Sequence, residues 1–234
     1  LRALQQLNYE PTTLQQIEHL FPVRLSEQLL SQFEYDHPVL KQYIPDAREL
    51  INPDGYSKDP VGDQDATLAD GVLKKYQHRA LIITNNTCPV HCRYCFRKDY
   101  PYSHETPNQH RFEKALTALK NDQSLNEIIL SGGDPLSLDD DLLGYLFDSL
   151  AAIKHIKTIR VHTKFPSIYP QRVTQQLLTL LQDTRLNTVI VLHINHPEEI
   201  SPSLKYAAEQ IKQTNTTTLN QAVLLKGIND HADT

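Results

Sequence analysis

All three cysteines of this 234-residue chain, Cys88, Cys92 and Cys95, fall within eight residues, in "TCPVHCRYCFRKDYPY" (residues 87–102). A C-x3-C-x2-C spacing lets one loop direct three thiolates at a single point. An odd count in one short segment argues against a disulfide framework. Thiolates suit iron–sulfur clusters and zinc. A closed zinc site needs a fourth ligand, and His91 between two of the cysteines could supply it. Three thiolates on a four-iron cluster would instead leave one iron open to a chelating small molecule. The open cluster is the leading reading, with zinc or incidental thiols as the alternatives. Arg97 and Lys98 follow directly, putting positive charge beside the loop.

Such a loop needs a scaffold that holds it against other polar groups. Residues 80–86 ("ALIITNN") predict a short buried strand ending just before the cysteines. Further strands are expected at "EIILSGGDP", "TIRVHTK", "TVIVLHINH" and "TTLNQAVLLKG". Helical spacing of apolar residues marks "RFEKALTALKND", "DDDLLGYLFDSLAAI", "RVTQQLLTLLQ" and "PSLKYAAEQIKQT" between them. Five strands alternating with helices is the rhythm of a parallel α/β sheet, open or closed into a barrel. Polar residues gather just after each strand: 88–95, 131–134, 162–164, 193–196 and 220–221. In parallel barrels the carboxyl ends of the strands carry the site, so these five groups should share one face. The acidic run 139–141 reads as a helix start, where carboxylates favour the dipole.

Residues 1–71 have a different texture, polar and rich in Gln, Leu, Glu and Pro. Helices are expected at "TLQQIEHLF" and "LSEQLLSQF", a short one at "DHPVLKQYI", and a loop or linker over "INPDGYSKDPVGDQDATLADG". The net charge of −5 gives no general reason to expect nucleic-acid binding. No apolar run approaches the ~20 residues that span a bilayer, and no signal pattern opens the chain, so a cytoplasmic protein without a membrane partner is the default. The chain begins at Leu1 and contains no methionine, which fits a piece of a longer sequence.

Together these motifs carry a resemblance. The cysteine spacing, with Tyr94 before the last cysteine, and "SGGDP" after the next strand resemble the radical S-adenosylmethionine superfamily. "HRALIITNNTCPVHCRYCFRKDYPY", "SGGDPL", "PQRVT", "HINHPEEI" and "LNQAVLLKGIND" resemble its lysine 2,3-aminomutase family, and "CRYCFRKDYPY" is most similar to the elongation factor P lysine aminomutase branch. The resemblance runs from about residue 71 onward. It implies a partial (β/α) barrel core over residues 72–234, with a helical extension over 1–71, truncated before its last strand or strands.

The resemblance also implies roles. Cys88, Cys92 and Cys95 match ligands of a [4Fe–4S] cluster. Tyr94, Gly132, Gly133, Asp134, Thr163, His193 and Gln221 match positions around S-adenosylmethionine. Lys75 and Arg79 match the phosphate-binding pair for pyridoxal 5'-phosphate, where the family more often has two arginines. Arg97 matches the arginine that pairs with the substrate's α-carboxylate, a task suited to a planar guanidinium. Plain readings remain beside these: a strand-end turn for Gly132 and Gly133, hydrogen-bond duty for His193 and His196, a solvated face for Lys75, Arg79 and Arg97.

The activity implied is movement of the amino group of L-lysine from C2 to C3, with the β-lysine product serving elongation factor P modification. The alternatives are another amino-acid 2,3-aminomutase, such as one for glutamate, or a non-catalytic metal-binding module; a homo-oligomer is compatible with either. The family's glycine-rich segment carrying the pyridoxal lysine has no counterpart here, so no catalytic pyridoxal lysine is expected within this chain. His231 stands where clostridial-type members place a zinc-binding cysteine, and no such zinc site is expected.

Overall fold

The computed structural model describes residues 10–102 and 107–232; the remaining parts of the expected extension and core lie outside the described residues. Seven strands form one sheet in sequential order: β1 (Thr67–Ala69), β2 (Val72–Tyr76), β3 (Arg79–Asn85), β4 (Glu127–Gly132), β5 (Thr158–Thr163), β6 (Asn187–Leu192) and β7 (Thr217–Asn220). From β3 onward every neighbour is parallel. Helices α4 (Gln109–Asn121), α5 (Asp140–Ala152), α7 (Gln175–Asp183) and α8 (Pro202–Gln213) make the crossovers, giving a partial (β/α) barrel. The five parallel strands fall where the sequence pattern puts them. The last is shorter than expected, because residues 221–229 leave the sheet after Asn220.

The two extra strands are the main departure. β1 and β2 pair antiparallel, and β2 pairs antiparallel with β3. Their hairpin begins within the segment read as linker and passes through residue 71. β1 has three residues with no buried side chain, too short and too polar to show a period-2 pattern.

Alternation on the parallel strands separates two faces. The row Ile82, Leu130, Val161, Ile190 is in register across four strands and is 0–1% exposed. It packs against Phe112 and Leu119 of α4, Leu143, Leu146 and Phe147 of α5, and Leu177 and Leu181 of α7. At roughly 25 cal/mol per Å² of apolar surface, this layer supplies the main drive for folding. The alternate positions include Arg79, Glu127, Arg160 and His162, so the other face is polar where the site forms. The helix starts follow local chemistry: Asp139, Thr174 and Ser201 cap α5, α7 and α8 by accepting backbone N–H groups. The acidic run at 139–141 is thus a helix start, and Asp140 also pairs with Arg172 at 2.7 Å.

The N-terminal segment contains α1 (Pro11–Leu20), α2 (Glu27–Gln32) and α3 (Pro38–Lys41). Leu29, Val39, Leu40 and Tyr43 form a second apolar cluster that includes Val90 of the cysteine loop and Ile168 of the single-turn α6 (Phe165–Ile168). The helical segment therefore packs directly on the loop that carries the cysteines.

Candidate active site

The cysteine loop leaves β3 and meets the turn after β4 at very close range. Gly133 N–H donates to Asn85 O at 2.7 Å, and Asp134 N–H to Thr87 O at 2.7 Å. A Cβ on Gly133 would lie 2.4 Å from Asn85 Oδ1 and 2.5 Å from Thr87 O, an overlap no side chain survives. Gly132 holds φ at +107°, a conformation that L side chains rarely adopt. Both glycines are thus required by the backbone itself.

Asp134 ties the ends of β4 and β5 together. Its buried carboxylate accepts from Thr163 Oγ1 at 2.6 Å and from the N–H groups of Lys164, Phe165 and Leu136 at 2.7–3.0 Å. Burial nonetheless pushes its pKa up to about 6.

Cys88, Cys92, Tyr94, Cys95, Arg97, Gly132, Gly133, Asp134, His193 and Gln221 line one cavity at the carboxyl ends of the parallel strands. Ten of the residues singled out in the sequence thus come together. Thr163 does not line it; its hydroxyl is used on Asp134, because alternation along β5 places it on the buried face. Lys75 and Arg79 line a neighbouring cavity with Asp63, and Arg97 lines both cavities. His196 caps the short helical turn at Pro197–Glu199, a hydrogen-bonding role.

The cavity also holds His162, Lys164 and Asn195, which the sequence did not single out individually. His162 and His193 meet edge to face, with ring centroids 5.9 Å apart. Burial lowers the pKa of His162 to about 4 and that of His193 to about 3, so both rings are neutral near pH 7. The Nε2 atom of each is buried without a hydrogen-bond partner among the described residues. Lys164 reaches the wall too, ion-paired to Glu199 and donating to His193 O at 2.9 Å. Asn195 donates to Tyr94 Oη at 2.6 Å and to Gln42 Oε1 at 2.8 Å, which commits the tyrosine hydroxyl to the protein. His162 lay within a predicted polar cluster, but nothing in one sequence distinguishes it from a strand residue.

The donor chemistry fits a cationic cluster. Burial pushes all three thiols above their ordinary range, Cys92 to about 11, while the Lys164 ammonium pulls Cys92 back and Arg97 and Lys98 pull Cys95 back. Iron would have to displace those protons. Among the described residues no three His, Cys, Asp or Glu side chains converge tightly enough for one ion. The sulfurs instead border a cavity, as a polynuclear centre requires. His91 points its chemistry elsewhere: its Nδ1 lies 2.8 Å from Pro22 O and its ring stacks on Phe21.

A parallel-stranded partial barrel with a three-cysteine loop after its first parallel strand, facing a double-glycine turn, defines a class. The radical SAM superfamily model matches residues 82–232, and the chain belongs to that superfamily. Membership implies a [4Fe–4S] cluster and S-adenosylmethionine, and the open cavity with two unpartnered imidazole nitrogens suits both. Within it, the chain is 38% identical over 220 residues to the L-lysine 2,3-aminomutase of Buchnera aphidicola subsp. Baizongia pistaciae, covering 93% of this chain and 65% of that protein. It is 38% identical over 216 residues to the L-lysine 2,3-aminomutase of Haemophilus influenzae (91% and 64%) and 36% identical over 218 residues to that of Escherichia coli (92% and 64%). The chain thus spans just under two thirds of the length of these curated relatives. No helix among the described residues is long and apolar enough to cross a membrane.

Proposed function

We propose that the protein moves the amino group of L-lysine from C2 to C3, with Cys88, Cys92 and Cys95 holding the cluster. Gly132, Gly133, Asp134, His193, Gln221 and Tyr94 border S-adenosylmethionine in this reading, with Thr163 acting through Asp134. Lys75 and Arg79 receive the phosphate of pyridoxal 5'-phosphate. The bound groups supply the radical and the imine chemistry that amino migration needs. The observation that carries the proposal is the place of Arg97, on the wall shared by the cysteine-lined cavity and the Lys75–Arg79 cavity. A carboxylate held there would place the substrate beside both the cysteine-lined cavity and the cavity lined by Lys75 and Arg79.

The chain's own residues bind, orient and shield. The Arg97 guanidinium presents N–H groups to the carboxylate in a plane, fixing direction as well as distance. Val90, Phe96 and Val223 supply apolar wall that limits water beside the cysteines. His162 and His193, neutral near pH 7, offer hydrogen bonds without adding charge near a cationic sulfonium.

Use of the product in elongation factor P modification, in the cytoplasm, is the finer form of the proposal. The test uses protein from the complete open reading frame, reconstituted anaerobically with iron and pyridoxal phosphate. Supplied with S-adenosylmethionine, reductant and L-lysine, it should form β-lysine. Turnover of glutamate but not lysine would overturn the substrate. Cluster assembly without any turnover would make it a binding module.

A further inference from the structure

Asp63 lies in the segment read from sequence as linker, yet its side chain is only 2% exposed. Its Oδ2 accepts from Arg97 Nε at 2.7 Å, and its Oδ1 lies 2.6 Å from Lys75 Nζ. The loop that delivers it is braced: Asp59 accepts from the N–H groups of Asp63 and Gln64, both at 2.9 Å, and Lys75 also donates to Val61 O at 2.5 Å. A buried carboxylate needs partners, and this one takes them from two cations on the walls of the proposed site.

The consequence for Arg97 is geometric. Its Nε is held by Asp63, its Nη1 reaches Ser131 Oγ at 3.4 Å, and its guanidinium carbon lies 4.6 Å from the centre of the Phe96 ring. Three sides of the group are occupied by the protein, and among the described residues no partner engages Nη2 or the second N–H of Nη1, so that edge is the one available to a ligand. An arginine so fixed loses little rotamer freedom when it binds.

We infer that Asp63 is a positioning residue for substrate recognition, aligning Arg97 so that its terminal edge receives a carboxylate and joining it to Lys75 as one anion-binding unit. The inference rests on the reading of Arg97 as the carboxylate anchor. Asp63 acts through Arg97 and does not touch the substrate.

The experiment compares Asp63→Ala, Asp63→Asn and Arg97→Lys in the complete, iron- and pyridoxal-loaded protein. L-lysine binding is read by anaerobic calorimetry, alongside melting temperature and cluster absorbance. Asp63→Ala should weaken lysine binding by about tenfold or more, the scale of one charge-assisted hydrogen bond. In steady-state assays the change should fall on KM more than on kcat. Asp63→Asn keeps an acceptor for Arg97 Nε and should restore most of the binding, a rescue that a purely stabilising carboxylate would not show. Should the alanine variant fold poorly, the asparagine variant carries the test, with less than threefold loss expected. Loss of binding in Arg97→Lys, with Asp63→Ala binding like the unmodified protein, would overturn the positioning role and leave the anchor intact. Tighter lysine binding by Asp63→Asn would also overturn it, showing Asp63 to be a competitor of the substrate. Unchanged binding in Arg97→Lys would overturn the anchor and the inference together.

Discussion

Two polar networks flank the cysteine loop, and their charge balance differs. On the side of the N-terminal segment, Arg93 pairs with Glu49 at 2.5 Å and Lys164 pairs with Glu199, one cation to one carboxylate. Gln42 and Asn195 bond to Glu199, and Arg93 also donates to Phe21 O, so the groups of this network are used within the protein. On the other side run two chains, Lys75–Asp63–Arg97 and Arg79–Glu127–Arg160, each with two cations on one carboxylate. A balanced buried network orients the elements it joins. A cationic surplus beside a cavity is matched only when an anion arrives. The first network is satisfied within the protein, while the second carries the cationic surplus on which the proposed ligand site depends.

The sharpest way to separate the two is to remove the cluster. Cys92→Ala should abolish the brown colour and S-adenosylmethionine cleavage, since two thiolates cannot hold a site-differentiated centre. Melting temperature should move little by comparison. Stoichiometric zinc in place of iron after strictly anaerobic preparation would break the assignment.

Next in size is the scaffold side. Glu49→Ala strands the Arg93 guanidinium, whose side chain is 7% exposed, and should cost about 3–5 kcal/mol of stability by denaturant titration. Glu49→Gln should cost less, because it keeps an acceptor for the guanidinium. A loss near zero would mean that the N-terminal segment does not hold the cysteine loop.

On the ligand side, Arg97→Lys keeps the charge but not the planar fork. It should weaken lysine binding by about 2–3 kcal/mol with cluster assembly intact. A drop in stability larger than the drop in binding would move Arg97 to the scaffold class.

The last prediction concerns the imidazoles. His162 and His193 have pKa values held below the ordinary value near 6.5, at about 4 and about 3, chiefly by burial, with Arg160 beside His162 and with His162 and Lys164 beside His193. The unfolded chain therefore binds more protons below pH 6.5, and stability should fall as pH drops from about 6.5 toward 4. His162→Gln should flatten that decline in a series of melting temperatures. An unchanged slope would place these rings outside the titration that limits acid stability.

Much of this was legible in the residues. The strand–helix rhythm from β3 to β7 shows because each parallel strand buries alternate apolar side chains under an amphipathic helix. The three cysteines and the double glycine show because their spacing leaves few other uses. Lys75 and Arg79 could be named but not located: only the hairpin register, with Tyr76 opposite Arg79, brings them to the cavity that Arg97 shares. Asp63 was invisible among the acids of a Pro- and Gly-rich stretch. So was the bond between Asp134 and Thr163, which are 29 residues apart. The sequence alone determined the parallel strands and helices from β3 onward and which residues could bind metal, since those depend on neighbours a few positions away, but not the β1–β2 hairpin. Which carboxylate meets which cation, and which imidazole nitrogen stays unpartnered, was decided by tertiary structure. Those pairings join residues distant in the chain, and burial sets their strength only once the sheet and its helices have packed around them.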